Sequence, residues 1–348
     1  MEKIEKFIEH WDNLIDRWKK DSEDTIGRDV YFSKYRGNEE KSKLYINNSF
    51  SENVEFYKYL PEPYLGDPNN CCAVMLNLNP GFGIDLDVCK DDSRLREHPD
   101  YKFQHHDNWK NETKKYSDFA LKFEPYLSDN IINGNQSEIK NGGKHPGGVY
   151  WWYGTYDDRS KKCTGGRIDY IEHLYNLWFG ENKFKLQERK PFALELCPWH
   201  SHKFGLSDII TKKMKTKDND LVRALKKYVL EPALMATQGN DVLPFVICIG
   251  KAITELCDVL DLKRVECCKW ENGKKGDVNI DNWPINDKND KQLVQRTYQL
   301  YECEINGNRY FLLNTYAPGS NKTPAKETFQ IGVEDEIIKS IQKYIKKD

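Results

Sequence analysis

Four short apolar segments, separated by stretches with helical periodicity, constrain the fold of this chain more than any other feature. The segments are residues 73–78 (AVMLNL), 191–197 (PFALELC), 244–249 (PFVICI) and 310–313 (YFLL). Each has the length of a strand and is apolar on both faces, which is typical of parallel strands covered by helices. Helical patterns separate or follow them, at residues 168–178, 221–235, 252–260 and 333–345. This alternation predicts an α/β domain with a mainly parallel sheet.

The remaining regions complete the predicted organisation. Apolar residues recur at three- and four-residue steps from Ile4 to Trp18, which predicts an amphipathic helix packed on the domain, with a partner-binding helix as the open alternative. Residues 83–166 are rich in Asn, Asp, Lys and Gly, and we expect a large, partly helical insertion over one edge of the sheet. A polar stretch at 269–291 predicts a loop. We therefore expect a single domain over 1–348, with an N-terminal helical region at 1–60.

Composition narrows the class of protein. The formal net charge is −2, from 53 basic and 55 acidic residues, so nucleic-acid binding would require a local basic patch. No apolar run approaches the roughly 20 residues of a membrane helix. The charged N-terminus does not resemble a signal peptide, and we expect a cytoplasmic protein without membrane contact. The ten cysteines include no C-x-x-C pattern, and Cys197, His200 and His202 form the one metal-binding alternative that stays open.

Polar tips follow all four predicted strands. They lie at residues 77–83, 198–202, 250–251 and 314–321. In open α/β sheets, ligands bind beyond the carboxyl ends of the strands. Tight turns explain a single Pro-Gly pair, but a scaffold does not need polar residues at every tip. The sequence therefore predicts a ligand site that is shared by the four tips.

The first tip carries a motif. Asn79-Pro80-Gly81 after an apolar strand resembles the first motif of the uracil-DNA glycosylase superfamily in its Asn-Pro-Gly form. The spacing of the later strands, and the loop at 314–321 in place of the second motif, fit this family over about residues 60–345. The resemblance implies a three-layer α/β/α domain with a four-stranded parallel sheet. It also implies hydrolysis of the bond between a base and deoxyribose, with DNA as the partner, no required protein partner and no metal or cofactor.

The implied reaction gives roles to residues of the first tip. The enzyme must extrude the base from the duplex, place a water molecule and stack a ring on the base. Asn79 would hold the water, and Phe82 would stack on the flipped base. The backbone near Gly81 would approach a phosphate or a base carbonyl, because glycine removes the side-chain barrier. Many family members carry Asp in place of Asn79, and Asp85 could then be the general base, although a solvated loop acid is the open alternative.

The fourth tip would replace a missing histidine loop. The family's His-Pro-Ser-Pro pattern is absent here. Asn314, Tyr316 and Ser320 would bind phosphate or support the departing base, and Gly319 would let the backbone come close to the DNA strand. Asn314 is also a catalytic candidate. The neutral residues of this loop keep a second hypothesis open, in which the chain is a weak or inactive member of the fold that binds or senses nucleic acid.

Glu195 lies at the tip of the second strand, where family members that prefer uracil place Asn. A carboxylate accepts hydrogen bonds and donates none. It would oppose the carbonyls of uracil, whereas it would accept a hydrogen bond from the amine of cytosine. We therefore expect a cytosine-type or adenine-type base, with a strand residue in an ion pair as the alternative for Glu195. Trp199, four residues further on, is a second candidate for contact with the base.

Two further features bear on the substrate. Trp152 belongs to an aromatic cluster, YWWY at residues 150–153, that would either enter the core or line a pocket for a bulky base. Some superfamily members defend bacteria by removing glucosylated cytosines from phage DNA. The resemblance makes the same substrate a candidate for this chain. Lys203 belongs to a basic stretch at 201–230, and Lys251 follows the third strand. Both are candidates to bind DNA phosphates, although a solvated surface explains a charged stretch equally well.

Overall fold

The computed structural model describes twelve stretches of the chain. They are residues 2–28, 56–77, 105–122, 154–157, 162–165, 167–185, 188–199, 219–249, 262–271, 274–277, 297–315 and 334–345.

Ten strands occur in these residues. In chain order they are β1 (Tyr64–Leu65), β2 (Cys71–Asn77), β3 (Gly154–Asp157), β4 (Lys162–Gly165), β5 (Lys190–Glu195), β6 (Val246–Ile249), β7 (Lys263–Glu271), β8 (Lys274–Asp277), β9 (Thr297–Ile305) and β10 (Asn308–Thr315). Eight of them form one mixed sheet in the order β1-β5-β2-β6-β10-β9-β7-β8, while β3 and β4 form a separate antiparallel pair.

Four contiguous strands, β5, β2, β6 and β10, are mutually parallel. They coincide with the four apolar segments of the sequence, which confirms the α/β class. The predicted number of strands was wrong, because the sheet also contains antiparallel β1 at one edge and antiparallel β9, β7 and β8 at the other. The predicted loop at 269–291 was wrong at its start, where β7 ends and β8 follows. Of these added strands, β7 and β9 mix apolar with charged residues, as antiparallel strands with one wetter face do.

Helices cover both faces of the parallel strands. The helices are α1 (Glu2–Lys20), α2 (Ser22–Arg28), α3 (His106–Trp109), α4 (Ser117–Ala120), α5 (Arg167–Phe179), α6 (Asn219–Leu225), α7 (Glu231–Ala236) and α8 (Glu334–Ile345), with a 3-10 turn at Phe56–Lys58 and a π-helical stretch at Lys226–Leu230. Val74 and Leu76 of β2 pack into an apolar cluster with α1, α6 and α7. Met75 packs into a second cluster with α5 and α8 on the opposite face. Successive β2 side chains thus enter different cores, which explains why the strand is apolar throughout.

The N-terminal helix is part of the core. Phe7, Trp11 and Trp18 are each no more than 1% exposed. Trp11 Nε1 donates to the Tyr228 carbonyl at 3.3 Å, and Trp18 Nε1 donates to the Tyr57 carbonyl at 2.6 Å. The predicted amphipathic helix is confirmed, and its apolar face is occupied by the domain itself.

Residues 105–122 fall within the expected insertion and fasten α1 to the sheet edge. Asp12 accepts hydrogen bonds from the backbone N–H of Ser117 at 2.9 Å and from its hydroxyl at 2.7 Å. Tyr116 donates its hydroxyl proton to the carbonyl of Tyr64 in β1 at 2.6 Å. This part of the insertion is partly helical and lies over the β1 edge, as the sequence predicted.

One glycine permits the edge pairing. Gly66, directly after β1, has φ +96°, and a Cβ atom there would lie 2.1 Å from the Pro191 carbonyl oxygen. Only glycine combines this backbone conformation with such a close approach to β5. Among the helices in the described ranges, none has both the length and the apolar character that a membrane crossing requires.

Candidate functional site at the carboxyl edge of the sheet

The carboxyl ends of the parallel strands meet at one edge of the sheet. Asn77, the last residue of β2, pairs in register with Glu195, the last residue of β5. On the other side of β2, Leu76 pairs with Cys248, and Cys248 in turn pairs with Asn314 of β10. Three polar residues from three strands therefore lie near this edge, with the Asn77 and Glu195 side chains on one face of the sheet and Asn314, level with Leu76, on the other.

Most of the predicted site residues lie outside the described part of the chain. These are Asn79, Gly81, Phe82, Asp85, Trp152, Lys203, Lys251, Tyr316, Gly319 and Ser320. The first, third and fourth tips nevertheless leave the sheet from described positions, since β2, β6 and β10 end at residues 77, 249 and 315. These tips start from neighbouring strands of the sheet, and their convergence on one site stays a prediction.

Two of the three described candidates are fully enclosed. Trp199 is 0% exposed and belongs to the apolar cluster that contains α1, so its indole serves the core. The prediction that Trp199 contacts a base did not anticipate this burial, because a tryptophan in a polar tip gives no sign that α1 covers it. Asn314 is also 0% exposed, and its position in β10 opposes Gln299 of β9 as well as Cys248.

The third candidate, Glu195, forms a pair with Asn77. Asn77 Nδ2 donates to Glu195 Oε1 at 3.0 Å. Both backbones are tied to their neighbours, because the Glu195 N–H donates to the Pro63 carbonyl at 3.0 Å and the Leu196 N–H donates to the Asn77 carbonyl at 2.9 Å. The side chains consequently emerge from a rigid part of the sheet.

The Asn77–Glu195 pair has unused polar atoms. Asn77 is 3% exposed, and Glu195 is half-buried as a residue while its Oε2 atom is buried. Neither Asn77 Oδ1 nor Glu195 Oε2 has a hydrogen-bond partner in the described residues. Burying a polar atom without a partner costs about 1–3 kcal/mol, so such atoms mark places that take a ligand or a water molecule.

Burial changes the protonation state of Glu195. Loss of solvation raises the pKa of its carboxyl to about 8, and the charge of Glu62 acts in the same direction. The positive charge of Arg167 and the hydrogen bond from Asn77 oppose this rise without cancelling it. Burial also lowers the pKa of Arg167 at the start of α5. At pH 7 Glu195 is therefore mainly the neutral acid.

This protonation state corrects the premise of the sequence argument. Glu195 was expected to be a carboxylate that accepts and never donates. As a neutral acid it offers one O–H donor as well as an acceptor. Repulsion of uracil carbonyls by a negative charge is therefore not available below about pH 8, and any preference among bases needs a different cause.

Sequence reasoning missed three residues of this site, namely Asn77, Arg167 and Glu62. Asn77 carried a usable signal, because two buried parallel strands both end on a polar residue, Asn77 in one and Glu195 in the other. Arg167 and Glu62 lie far from Glu195 in sequence and in no motif, so no pattern linked them to it.

No metal-binding set is found at this edge. In the ranges that the structure covers, His, Cys, Asp and Glu residues nowhere form a group of three or more that could hold a metal ion. Cys197 is 0% exposed, and His200 and His202 lie outside these ranges.

Comparison with family models, with curated proteins and with solved structures found no significant match to this chain.

Proposed function

We propose that this protein is a DNA glycosylase of the uracil-DNA glycosylase type that hydrolyses the N-glycosidic bond of a flipped, damaged or modified base. One observation carries the proposal. The carboxyl ends of β2, β5, β6 and β10 lie side by side, and Asn77, Glu195 and Asn314 line that edge. The Asn79-Pro80-Gly81 motif begins two residues beyond it.

The chemistry of the edge supports base removal. Cleavage builds positive charge on the sugar and negative charge on the departing base, so the site needs a placed water and donors that face the base. The Asn79 amide is suited to hold the water. The neutral carboxyl of Glu195 supplies a buried donor on the same edge. A metal ion is not needed for any of these roles.

The substrate class that we favour is a modified cytosine, including the glucosylated cytosines of phage DNA. An aromatic insertion with the YWWY sequence at residues 150–153 is suited to a bulky, sugar-bearing base. A protein that removes such bases would act in antiviral defence. If its substrate were instead an ordinary damaged base, it would be a repair enzyme. Lys203 and Lys251 would bind DNA phosphates.

Base release tests the proposal directly. Oligonucleotides that carry one uracil, cytosine, 5-hydroxymethylcytosine or glucosylated 5-hydroxymethylcytosine are incubated with the protein, and abasic sites are detected by strand cleavage in alkali. We expect product from at least one modified cytosine. Asn79→Ala should abolish release while DNA binding is kept. Asn69→Ala is the matched control, because Asn69 is exposed and lies before the opposite end of β2.

The outcomes separate the two functional hypotheses. Release that is lost in Asn79→Ala and kept in Asn69→Ala supports a glycosylase. Tight binding of modified DNA without an abasic product from any substrate contradicts the enzyme and supports a binding or sensing module of the same fold.

Base preference is tested at Glu195. Glu195→Asn places an amide donor and acceptor where uracil-preferring relatives carry one, and we expect the ratio of uracil release to cytosine-type release to rise. An unchanged ratio would show that Glu195 does not contact the base.

A further inference from the structure

Asn77 and Glu195 present a donor and an acceptor next to each other. Because Glu195 Oε1 is occupied by Asn77 Nδ2 at 3.0 Å, the atoms left over are Glu195 Oε2 and Asn77 Oδ1, both buried and both without a partner in the described residues. An amide oxygen only accepts, and a carboxylic acid oxygen that carries the proton donates. The pair is therefore suited to a ligand edge with one acceptor beside one donor.

A cytosine-type base has such an edge. Its ring atom N3 accepts a hydrogen bond, and its neighbouring exocyclic amine donates one. Uracil also presents an acceptor next to a donor, but its acceptor is a weakly basic carbonyl oxygen. Of these two pyrimidine edges, only the cytosine-type edge offers a basic ring nitrogen that can take up the proton.

We propose that Glu195 is the general acid that protonates N3 of a cytosine-type base, while Asn77 Oδ1 accepts from the exocyclic amine. This inference rests on the proposed glycosylase function and adds to it the catalytic acid and the cause of base preference. It replaces charge repulsion, which a neutral Glu195 cannot provide.

The step balances as follows. The O–H bond of Glu195 breaks and an N3–H bond forms, so the carboxyl becomes a carboxylate and the base becomes a cation. When the C1′–N1 bond breaks, its electron pair goes to N1 and the base departs as a neutral molecule. A water oxygen bonds to C1′ and releases a proton to solvent, and the Glu195 carboxylate regains a proton from solvent.

The groups around Glu195 keep its carboxyl protonated, which the protonation of N3 requires. Burial raises the pKa of its carboxyl, and so does the charge of Glu62 on the segment before β1. Arg167 on α5 and the hydrogen bond from Asn77 on β2 lower this pKa, and the resulting value is about 8. Tyr116 also faces this group, but its hydroxyl donates to the Tyr64 carbonyl, and burial raises its pKa well above the ordinary value. A general acid works best when its pKa lies near the working pH.

Glu195→Gln separates proton transfer from binding. The glutamine amide keeps the size of the side chain, an acceptor for Asn77 and an N–H donor for N3, but it has no acidic proton. We expect the single-turnover rate constant of base release to fall about 10²–10⁴-fold, while the protein concentration for half-maximal rate stays near that of the parent. Glu188→Gln is the matched control, because Glu188 lies just before β5 and its side chain is 65% exposed.

The pH profile supplies a readout that a structural role would not change. With DNA that carries 5-hydroxymethylcytosine, the parent rate should fall about tenfold per pH unit above the pKa of Glu195, near 8. Glu62→Gln removes a charge that raises this pKa and should move the falling limb to lower pH. Arg167→Gln removes a charge that lowers it and should move the limb to higher pH.

The results decide between distinct failures. A parent that releases no base from any of the four oligonucleotides overturns the proposed function itself. An active parent whose Glu195→Gln variant keeps full rate, or whose falling limb does not move in Glu62→Gln and Arg167→Gln, overturns the role of Glu195 and leaves the glycosylase function standing.

Discussion

Two buried carboxyl groups in this protein have opposite surroundings. Asp12 on α1 is 5% exposed, and both of its oxygens accept hydrogen bonds from Ser117. Glu195 at the end of β5 has one oxygen bonded to Asn77 and one buried oxygen without a partner in the described residues. The first group connects two parts of the fold, and the second has an oxygen that no described residue contacts by a hydrogen bond.

This difference in hydrogen bonding distinguishes structural from functional buried polar groups. A fully satisfied buried carboxylate stabilises the contact that it makes, because each charge-assisted hydrogen bond contributes about 1.5–3 kcal/mol. A partly satisfied buried group costs free energy in the folded state, and proteins keep such groups mainly where chemistry or binding requires them. We therefore expect Glu195 and Asn77 to lower stability, as a functional pair would, and Asp12 to raise it.

The largest expected effect is the loss of Asp12. Asp12→Ala leaves the Ser117 N–H and hydroxyl buried without their acceptor, and we expect the free energy of unfolding to fall by about 3 kcal/mol. Urea denaturation measures the change. Glu9→Ala, an exposed position on the same helix, should change it by less than about 0.5 kcal/mol. Equal effects of the two substitutions would remove the structural role of Asp12.

Per pH unit, a smaller effect of up to about 1.4 kcal/mol concerns the pH dependence of stability. The pKa of Glu195 rises from 4.5 to about 8 on folding, so the folded chain holds a proton that the unfolded chain releases between these pH values. Glu195 costs the fold least below about pH 4.5, and the folded state loses stability relative to the unfolded chain as the pH rises toward 8, at up to about 1.4 kcal/mol per pH unit. The stability of the parent relative to Glu195→Gln should therefore fall across this window. Urea titrations at several pH values that give a constant difference would contradict the expectation.

The smallest expected effect comes from removing both members of the polar pair. Asn77→Leu combined with Glu195→Met should leave the free energy of unfolding unchanged or raise it by about 1 kcal/mol, because no unpartnered polar atom of the pair remains. Asn77→Leu alone removes the hydrogen bond that Asn77 Nδ2 donates to Glu195 Oε1 and should be destabilising. Base release should be lost in the double variant. A double variant less stable than the single one would show that the pair contributes to the fold.

Sequence reasoning succeeded where a continuous pattern of apolar residues indicates a buried element. The segments that became β2, β5, β6 and β10 are apolar on both faces, and the spacing from Ile4 to Trp18 marks α1 without ambiguity. It failed for β7 and β9, whose sequences KRVECCKWE and TYQLYECEI mix apolar and charged residues, because a charged alternating strand resembles a loop when its partners are unknown.

For the candidate site, the sequence predicted the place but not the chemistry. It identified Glu195 at a strand tip, and the register of β2 and β5 then puts Asn77 beside it. It could not predict that Glu195 is neutral, because desolvation depends on what the fold packs around the carboxyl. Nor could it reveal that Trp199 is enclosed, since the covering helix α1 lies almost two hundred residues earlier in the chain.

The central claim is that Glu195 is held as a neutral acid at neutral pH. Its side-chain carboxyl carbon, labelled with ¹³C and assigned by comparison with Glu195→Gln, reports this directly in an NMR titration. We expect the chemical shift of this carbon to titrate with a midpoint near pH 8. A midpoint close to the ordinary value of 4.5 would contradict it and would leave the carboxyl edge without its proton donor.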